Sequence, residues 1–475
     1  MDSSKPTLRF WLLYVVLVSA IGGFLFGFDS GVISGCEQAI QAEYSLSNNL
    51  QGFTAAAAII GTVIGAFGIG VPTDKFGRKI ILIVLGIFFL VSAVGCAFAP
   101  NWSTLVFMRW LGGLGIGGAS VVVPLYIVEL SPGRVRGRLV ALNQFNIVLG
   151  ILVSYISNYF VALAIDNQTA AWTWCERLAS CFADGMGAES IKWRLMLGVE
   201  ALPALAFILL LFSIPESPRW LVRKGRKDDA LKVLNGIGDP EPNATLDNIV
   251  ETLKNAQGGV RVPLFQKKYL WPIFLAWAVA MFNQVSGINA INYYAPRIFE
   301  KFMGSQAALA STIGLGTVNL IFTMLAFAFI DRFGRRVLLM VGAVGTTIMH
   351  LLAAWQIGLG DAANPYVVVP AILGFIAFFA VSQGAVIWVF ISEIFPNAVR
   401  AKGQALGSFT HWFMCAAITW TFPVVIGASQ TSGSYAFGFF ACMTALQFFF
   451  AWKLMPETKG GTIETLEKAI MSKQA

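Results

Sequence analysis

Long apolar stretches separated by polar connections make up most of the chain. From Phe10 to Leu454 these stretches repeatedly approach or exceed the roughly 20 residues that an α-helix needs to cross a bilayer. The pattern predicts twelve spanning helices, at residues 11–34, 54–72, 80–99, 103–128, 139–163, 192–213, 270–302, 308–330, 336–357, 366–392, 401–427 and 433–455. The predicted fold class is an all-α membrane protein with twelve transmembrane helices.

Charged motifs between the apolar stretches divide the chain into two similar halves. Each motif of the first half recurs in the second half in the same order, which indicates an internal duplication. The pairs are Asp74-Lys-Phe-Gly-Arg-Lys79 with Asp331-Arg-Phe-Gly-Arg-Arg336, Glu129-Leu-Ser-Pro-Gly-Arg-Val-Arg136 with Glu393-Ile-Phe-Pro-Asn-Ala-Val-Arg400, and Pro215-Glu-Ser with Pro456-Glu-Thr. We therefore expect each half to form a six-helix bundle.

The longest polar segment of the chain lies between the two halves. Within it, Leu231, Leu234 and Ile237 recur at helical spacing, which predicts short amphipathic helices on the cytoplasmic face of the membrane. The predicted organisation is an N-terminal bundle over 1–213, this intracellular helical segment over 214–265, a C-terminal bundle over 266–455 and a cytoplasmic tail over 456–475.

The composition excludes a soluble enzyme. Only 12% of the residues are charged, whereas a soluble domain has roughly 25%. The sequence has no nucleophile with a matching base, no metal-type spacing of Cys and His, and no nucleotide-binding loop. We expect neither an enzymatic activity nor a cofactor or metal ion. Glycines such as Gly61 and Gly117 occur at small-residue spacing within spans, which favours close helix packing.

Lys and Arg collect in the connections that follow spans 2, 4, 6, 8 and 10. Because cytoplasmic loops retain positive charge, this distribution predicts that both termini face the cytoplasm. The same bias accounts for the net charge of +8, so no nucleic-acid partner is expected. The predicted location is a cell membrane crossed many times, either a bacterial inner membrane or a eukaryotic plasma membrane.

Two of the six cysteines share one predicted external loop. Cys175 and Cys181 lie in the connection after span 5, where oxidising conditions could link them. The sequence leaves this disulfide open.

One further motif joins the repeated ones. Gln284-Val-Ser-Gly-Ile-Asn-Ala-Ile-Asn-Tyr-Tyr294, together with the paired charged motifs, resembles the sugar porter branch of the major facilitator superfamily. The resemblance runs from about Gly22 to Gly460 with the motifs in order. It implies two six-helix bundles around a central sugar site that opens alternately to either face.

Two charged residues lie within predicted spans. Asp29 is in span 1 and Arg109 is in span 4, and pairing them would offset much of the cost of burying either charge. The resemblance implies that proton-coupled members carry an acid at the position of Asp29 and animal facilitators a neutral Asn. We expect protonation of Asp29 to release Arg109. The alternative is a static ion pair that only holds the two helices together.

A sugar presents hydroxyl groups that both donate and accept hydrogen bonds, and C–H faces that pack on aromatic rings. The predicted substrate-binding residues are Gln144, Asn283, Gln284, Asn289, Tyr293, Asn319, Trp388, His411 and Trp412. For some of these amides, hydrogen bonding between helices is the alternative. His411 stands where related glucose and xylose carriers usually have an amide, which leaves the preferred sugar open.

The repeated charged motifs are predicted to act as a cytoplasmic latch of inter-helix salt bridges. Its members are Asp74, Arg78, Glu129, Arg136, Glu216, Asp331, Arg335, Glu393, Arg400 and Glu457. In this hypothesis the latch holds the outward-facing state and breaks when the inner gate opens. The alternative is that the basic residues only set the topology. In addition, Gly287 and Gly433, with the stretch Asn292–Pro296, predict a discontinuous span 7 whose outer half moves as a gate.

These features together predict a proton-coupled monosaccharide symporter that works by alternating access, with a hexose as the expected substrate. A passive sugar facilitator of the same fold and a non-transporting sugar sensor are the alternatives. The expected partners are the sugar, a proton and the lipid bilayer, and the expected functional form is a monomer.

Overall fold

The structure is a computed structural model that describes residues 5–132, 135–167, 187–257, 263–396, 399–429 and 431–459. The described residues include twelve helices that are long and apolar enough to cross a membrane, which confirms the predicted fold class. The spans are Phe10–Gly35, Asn48–Gly68, Arg78–Ala97, Trp102–Leu130, Arg136–Asp166, Ala188–Leu211, Lys267–Met303, Ser305–Ile330, Arg335–Gly358, Pro365–Glu393, Arg400–Ile426 and Ser432–Lys453, numbered here 1 to 12. Lys and Arg collect in the connections after the even-numbered spans, and the ends of the spans on that side are called the basic ends.

Three spans are interrupted. Span 6 consists of helices Ala188–Gly198 and Ala201–Leu211, and span 10 of helices Pro365–Val381 and Gln383–Glu393. In span 7, helix Leu270–Val285 ends before helix Ile288–Met303 begins. Such breaks leave backbone groups that need other partners.

The break confirms the prediction that span 7 is discontinuous. It lies at Gly287 and not in the predicted stretch that ends at Pro296. The chain turns at Gly287, whose φ of +85° favours glycine because it lacks a Cβ. Pro296 instead lies inside the second helix. At the break, Nε2 of the buried His350 of span 9 donates to the Ser286 carbonyl at 2.9 Å.

The segment between the halves is helical, as its apolar spacing predicts. It contains helices Pro218–Arg223, Lys227–Gly236 and Pro242–Gln257. Leu221 and Ala230 are buried among partly buried apolar side chains of the three helices. The segment is therefore a small packed unit with its own apolar contacts.

The chain forms two compact units. One comprises Met1–Ser30, Gly61–Ile151 and Leu197–Arg261, and the other comprises Gly31–Ile60, Leu152–Met196 and Val262–Ala475. These limits differ from those of the predicted bundles, which remain a prediction. The first unit has a core that includes Leu82, Val122 and Phe207. The core of the second includes Leu275, Phe390 and Ile391.

Within the first unit, spans 2 and 4 approach each other backbone to backbone. A Cβ atom on Gly117 would collide with the Thr62 carbonyl, and one on Gly61 would collide with the Trp110 carbonyl. In lipid, where no hydrophobic effect drives helices together, such close approach supplies the van der Waals contact that holds them.

Candidate functional site

Asp29 and Arg109 form an ion pair between spans 1 and 4 within the first unit. Their side chains expose 3% and 1% of their surface, so water does not screen the pair. Gly112 lies one turn from Arg109, and a Cβ atom there would come within 3.6 Å of Asp29 Oδ2 and would collide with Ser92 Oγ. The sequence-predicted pair is thus brought together in a closely packed environment.

A second carboxylate, which the sequence analysis did not select, acts on this pair. Glu200 lies at the interruption of span 6, exposes 3% of its surface and interacts electrostatically with both Asp29 and Arg109. Its Oε1 atom has no hydrogen-bond partner among the described residues. The signal was available, because Glu200 is an acid in a predicted span, as Asp29 is.

In the second unit, amides of span 7 form a connected chain. Gln284 Nε2 donates to Asn283 Oδ1 at 2.9 Å, and Asn289 Nδ2 donates to Gln284 Oε1 at 2.6 Å. Asn283 Nδ2 in turn donates to the Gln383 carbonyl at 3.3 Å. Gln284 Nε2 also lies 3.2 Å from Nδ1 and 3.3 Å from Nε2 of His411 in span 11.

The direction of this chain of hydrogen bonds suits a neutral His411. A backbone carbonyl only accepts, so Asn283 donates to the Gln383 carbonyl and turns its own oxygen toward Gln284. Gln284 then presents N–H groups to the imidazole, which must offer a lone pair in return. A neutral imidazole fits this arrangement, because it accepts at one ring nitrogen and keeps one ring N–H to donate.

Aromatic rings surround this imidazole. The ring centroids of Trp388 and Trp412 each lie 4.9 Å from that of His411. Trp388 exposes 39% of its surface. The arrangement combines amide hydrogen-bonding groups with aromatic faces, which suits a ligand with both hydroxyl groups and C–H surfaces.

Three further predicted ligands lie in spans 7, 8 and 5. Tyr293 is buried, 5% exposed, in the second part of span 7. Asn319 of span 8 is half-buried and accepts from Thr323 Oγ1 at 3.3 Å. Gln144 of span 5 is half-buried in the first unit.

Gln383 is a second residue that the sequence analysis passed over. It opens the second helix of span 10 and exposes 1% of its surface. Neither Nε2 nor Oε1 of its side chain has a hydrogen-bond partner in the part of the chain that the structure describes. Burying an unsatisfied amide costs roughly 1–3 kcal/mol. A water molecule, or a ligand hydroxyl group, that bonded this amide would recover part of that cost.

The charged motifs of the first half form one cluster. Arg78 bonds Glu129 through two parallel contacts, Nε to Oε2 and Nη2 to Oε1, both at 2.9 Å. Glu216 accepts from the backbone N–H of Arg78 at 2.9 Å and from that of Lys79 at 3.1 Å. Burial raises the pKa of Glu216, although these backbone donors oppose the shift.

The second half repeats this geometry. Arg335 bonds Glu393 from Nη2 at 2.8 Å and from Nε at 3.2 Å. Glu457 accepts from the backbone N–H groups of Arg335 at 3.0 Å and Arg336 at 3.1 Å. Glu216, which follows span 6, thus lies at the N-terminus of span 3, and Glu457, which follows span 12, lies at the N-terminus of span 9. The positive end of each helix dipole stabilises the negative charge there.

The other predicted latch residues make different contacts. Arg136 and Arg400 donate to the carbonyls of Ser131 at 3.4 Å and Phe395 at 3.2 Å, each at the preceding turn. Asp74 pairs with Arg223 at 2.9 Å and with Arg78 at 3.4 Å. The side chain of Asp331, and both Cys175 and Cys181, lie outside the described residues.

The sequence profile of the family described as sugar (and other) transporter matches residues 15–470. The chain belongs to this family. Members of this family are transporters and not enzymes, so the chain is a transporter.

Curated relatives of this sugar transporter are similar over almost their whole length. The D-xylose-proton symporter of Escherichia coli strain K12 is 35% identical, and the match covers 96% of this chain and 95% of that protein. The arabinose-proton symporter of Bacillus subtilis strain 168 is also 35% identical, with the same shares covered.

Solved structures agree on the fold. The xylose transporter XylE of Escherichia coli in an inward-open conformation superimposes with a TM-score of 0.81 at 33% identity, covering 96% of this chain and 99% of that one. XylE is described as a major facilitator superfamily proton:xylose symporter, and its structure with bound 6-bromo-6-deoxy-D-glucose superimposes with a TM-score of 0.74 at 33% identity. This match covers 97% of this chain and 99% of that one. The resemblance to the major facilitator superfamily is thereby confirmed.

Proposed function

We propose that this protein carries a monosaccharide and a proton together across the membrane by alternating access. The observation that carries the proposal is the buried cluster of Asp29, Glu200 and Arg109. Buried charges are retained in spans where a function needs them. The relatives named for D-xylose-proton and arabinose-proton symport support the same activity.

The charges of the cluster explain how it would hold the coupling proton. Two carboxylates and one guanidinium leave a net charge of −1, and one proton makes the cluster neutral. A neutral cluster is favoured in a low-dielectric environment. Protonation of Asp29 would release Arg109, whose charge Glu200 could then balance, and the freed helices would rearrange.

The sugar is proposed to bind at the amide chain of span 7. Gln284 and Asn289 would meet the hydroxyl groups, and Trp388 would cover a C–H face of the ring. His411 would add one N–H donor. A hexose remains the substrate expected from the sequence, and D-xylose is a second candidate because relatives are named for it.

The orientation is proposed from the basic ends. Lys and Arg at these ends favour the cytoplasmic side, so both termini would lie on that side. The Arg78 and Arg335 clusters would then lie at the inner face and act as the predicted latch. We propose a monomer in a bacterial inner membrane or a eukaryotic plasma membrane.

Reconstitution in liposomes tests the function. Labelled D-glucose, D-fructose, D-xylose and L-arabinose are supplied with and without an imposed pH gradient. We expect at least one sugar to accumulate above its external concentration when the outside is acidic, and a protonophore to abolish this. Accumulation that a protonophore leaves unchanged would overturn proton coupling.

The same assay separates the alternatives. A passive facilitator would bring the internal sugar concentration up to the external one and no higher, whatever pH gradient is imposed. A sensor would bind sugar without measurable flux. Asp29 favours symport over both, because a facilitator has no need for a buried acid beside Arg109.

A further inference from the structure

A buried carboxylate joins the helix Glu37–Glu43 to the second part of span 7. Glu37 exposes 1% of its surface, and its Oε1 atom lies 3.4 Å from Nε of Arg297. Arg297 also donates to the side chain of Gln41, one helical turn further on. All these residues belong to the second compact unit, at the ends of the spans opposite the basic ends.

Gln51 of span 2 completes the surroundings of the carboxylate. Its Nε2 donates to Glu37 Oε2 at 2.8 Å and to the Glu37 carbonyl at 2.7 Å. Oε1 of Glu37 and Oε1 of Gln51 are buried and have no hydrogen-bond partner among the described residues. The site therefore has more buried acceptors than donors, and a proton on Glu37 would supply a donor while removing a buried charge.

The second part of span 7 presents three ionisable side chains to Glu37. Arg297 favours the charged carboxylate and Glu300 disfavours it, while the Tyr294 hydroxyl interacts with Glu37 electrostatically. Burial outweighs the effect of Arg297 and raises the pKa of Glu37 from 4.5 to about 7.

In the part of the chain that the structure describes, the electrostatic effects on the Glu37 carboxylate come from Arg297 and Glu300. Span 2 contributes the neutral Gln51. Glu43, at the far end of the same helix, is engaged by Arg194 at 2.9 Å and by Trp193 Nε1 at 2.6 Å. Glu37 is thus the acid of this helix that is placed to respond to a proton.

We propose that Glu37 is a second proton-binding site, which takes up a proton when the second part of span 7 closes on the helix Glu37–Glu43 and releases it when the two part. This inference rests on the proposed alternating access, in which such closing and parting occur. The site lies opposite the basic ends, so the proton returns to the external side and is not transported. It makes closure responsive to the external pH.

The sign of the response follows from linkage. In the joined state the pKa of Glu37 is about 7, and in water after parting the carboxyl has its ordinary pKa of 4.5. Protons therefore bind the joined state more tightly, and acid favours it. From pH 8 to pH 5.5 the ratio of joined to parted molecules should rise roughly 25-fold.

Distance measurements between spin labels test the proposal. Nitroxides are placed at the exposed positions Ser47 and Gln306 of the full chain, with the native cysteines replaced, in nanodiscs. The Asp29→Asn background removes the proposed coupling proton. We expect the short-distance population to grow between pH 8 and pH 5.5.

Three substitutions make this result specific. Glu37→Gln should keep the joined state populated at both pH values and abolish the response. Glu43→Gln, the matched control on the same helix, should retain the full response. Arg297→Gln removes the cation that opposes protonation, so its transition should move to a higher pH, which gives a second reading if Glu37→Gln does not fold.

The outcomes separate this inference from the proposed function. A full pH response in Glu37→Gln, or none in the parent protein, overturns the inference even if the liposomes accumulate sugar. A response that Glu37→Gln abolishes, in a protein that never accumulates sugar, supports the inference and overturns proton-coupled transport.

Discussion

The carboxylate of Asp29 accepts from the guanidinium of Arg109 in a place where neither side chain exposes more than 3% of its surface. Each charge is held directly by the other, so a change at one position removes the counter-charge that its buried partner contacts. Removing one member of a buried pair costs about 3–5 kcal/mol, which makes isosteric substitutions the informative ones.

Asp29→Asn should abolish proton-driven accumulation and spare exchange. The amide keeps the shape of the carboxylate and can still accept from Arg109, but it cannot take up a proton at physiological pH. Labelled sugar exchange across liposomes with equal sugar on both sides should remain within about threefold of the parent rate. Uphill uptake that survives this substitution would show that Asp29 is not the coupling site.

Glu200→Gln should change the pH dependence of uptake without abolishing it. With one negative charge removed from the cluster, a proton is held less tightly, so half-maximal uptake should move to a more acidic external pH by roughly one unit. The measurement is initial uptake between pH 5 and pH 8. An unchanged profile would exclude Glu200 from the coupling cluster.

Gln284→Ala should weaken sugar binding by tenfold or more. The change removes the hydrogen bonds that orient Asn283, Asn289 and His411, and each such bond contributes about 1 kcal/mol or more. Affinity is measured by isothermal titration calorimetry in detergent. Gln356→Ala is the matched control, since Gln356 is also a buried glutamine but bonds the Asn364 backbone instead.

Arg78→Lys and Arg335→Lys should produce similar losses of thermal stability. In each half, lysine cannot reproduce the two parallel contacts that arginine makes with Glu129 or Glu393. Arg226→Lys is the control, because Arg226 is 58% exposed and its pair with Asp229 contributes little. A large effect in only one half would contradict the functional equivalence of the two clusters.

Sequence patterns predicted the features that depend on composition and period. The twelve spans follow from apolar length, and the Asp29 and Arg109 pair follows from the rule that charges in lipid need partners. The duplicated contacts of Glu216 and Glu457 could be expected because the acids recur at matching places.

Other features depend on geometry that residue types do not encode. The direction of the hydrogen bonds from Asn289 through Gln284 to Gln383 depends on side-chain rotamers and on one carbonyl. The sequence pointed both to Gly287 and to the stretch that ends at Pro296, and only Gly287 marks the break in span 7, because a positive φ is what the turn requires. Glu200 was visible in the sequence and was missed.

The bond from His350 to the Ser286 carbonyl affects how mutations in this protein should be interpreted. A broken helix inside lipid needs a substitute partner for each freed carbonyl, and here a residue of span 9 supplies it. A substitution at position 350 would therefore disturb the segment that carries Gln284 and Asn289. A genetic screen would score such a substitution as a sugar-binding defect, although the imidazole bonds the backbone of span 7 and stabilises its break.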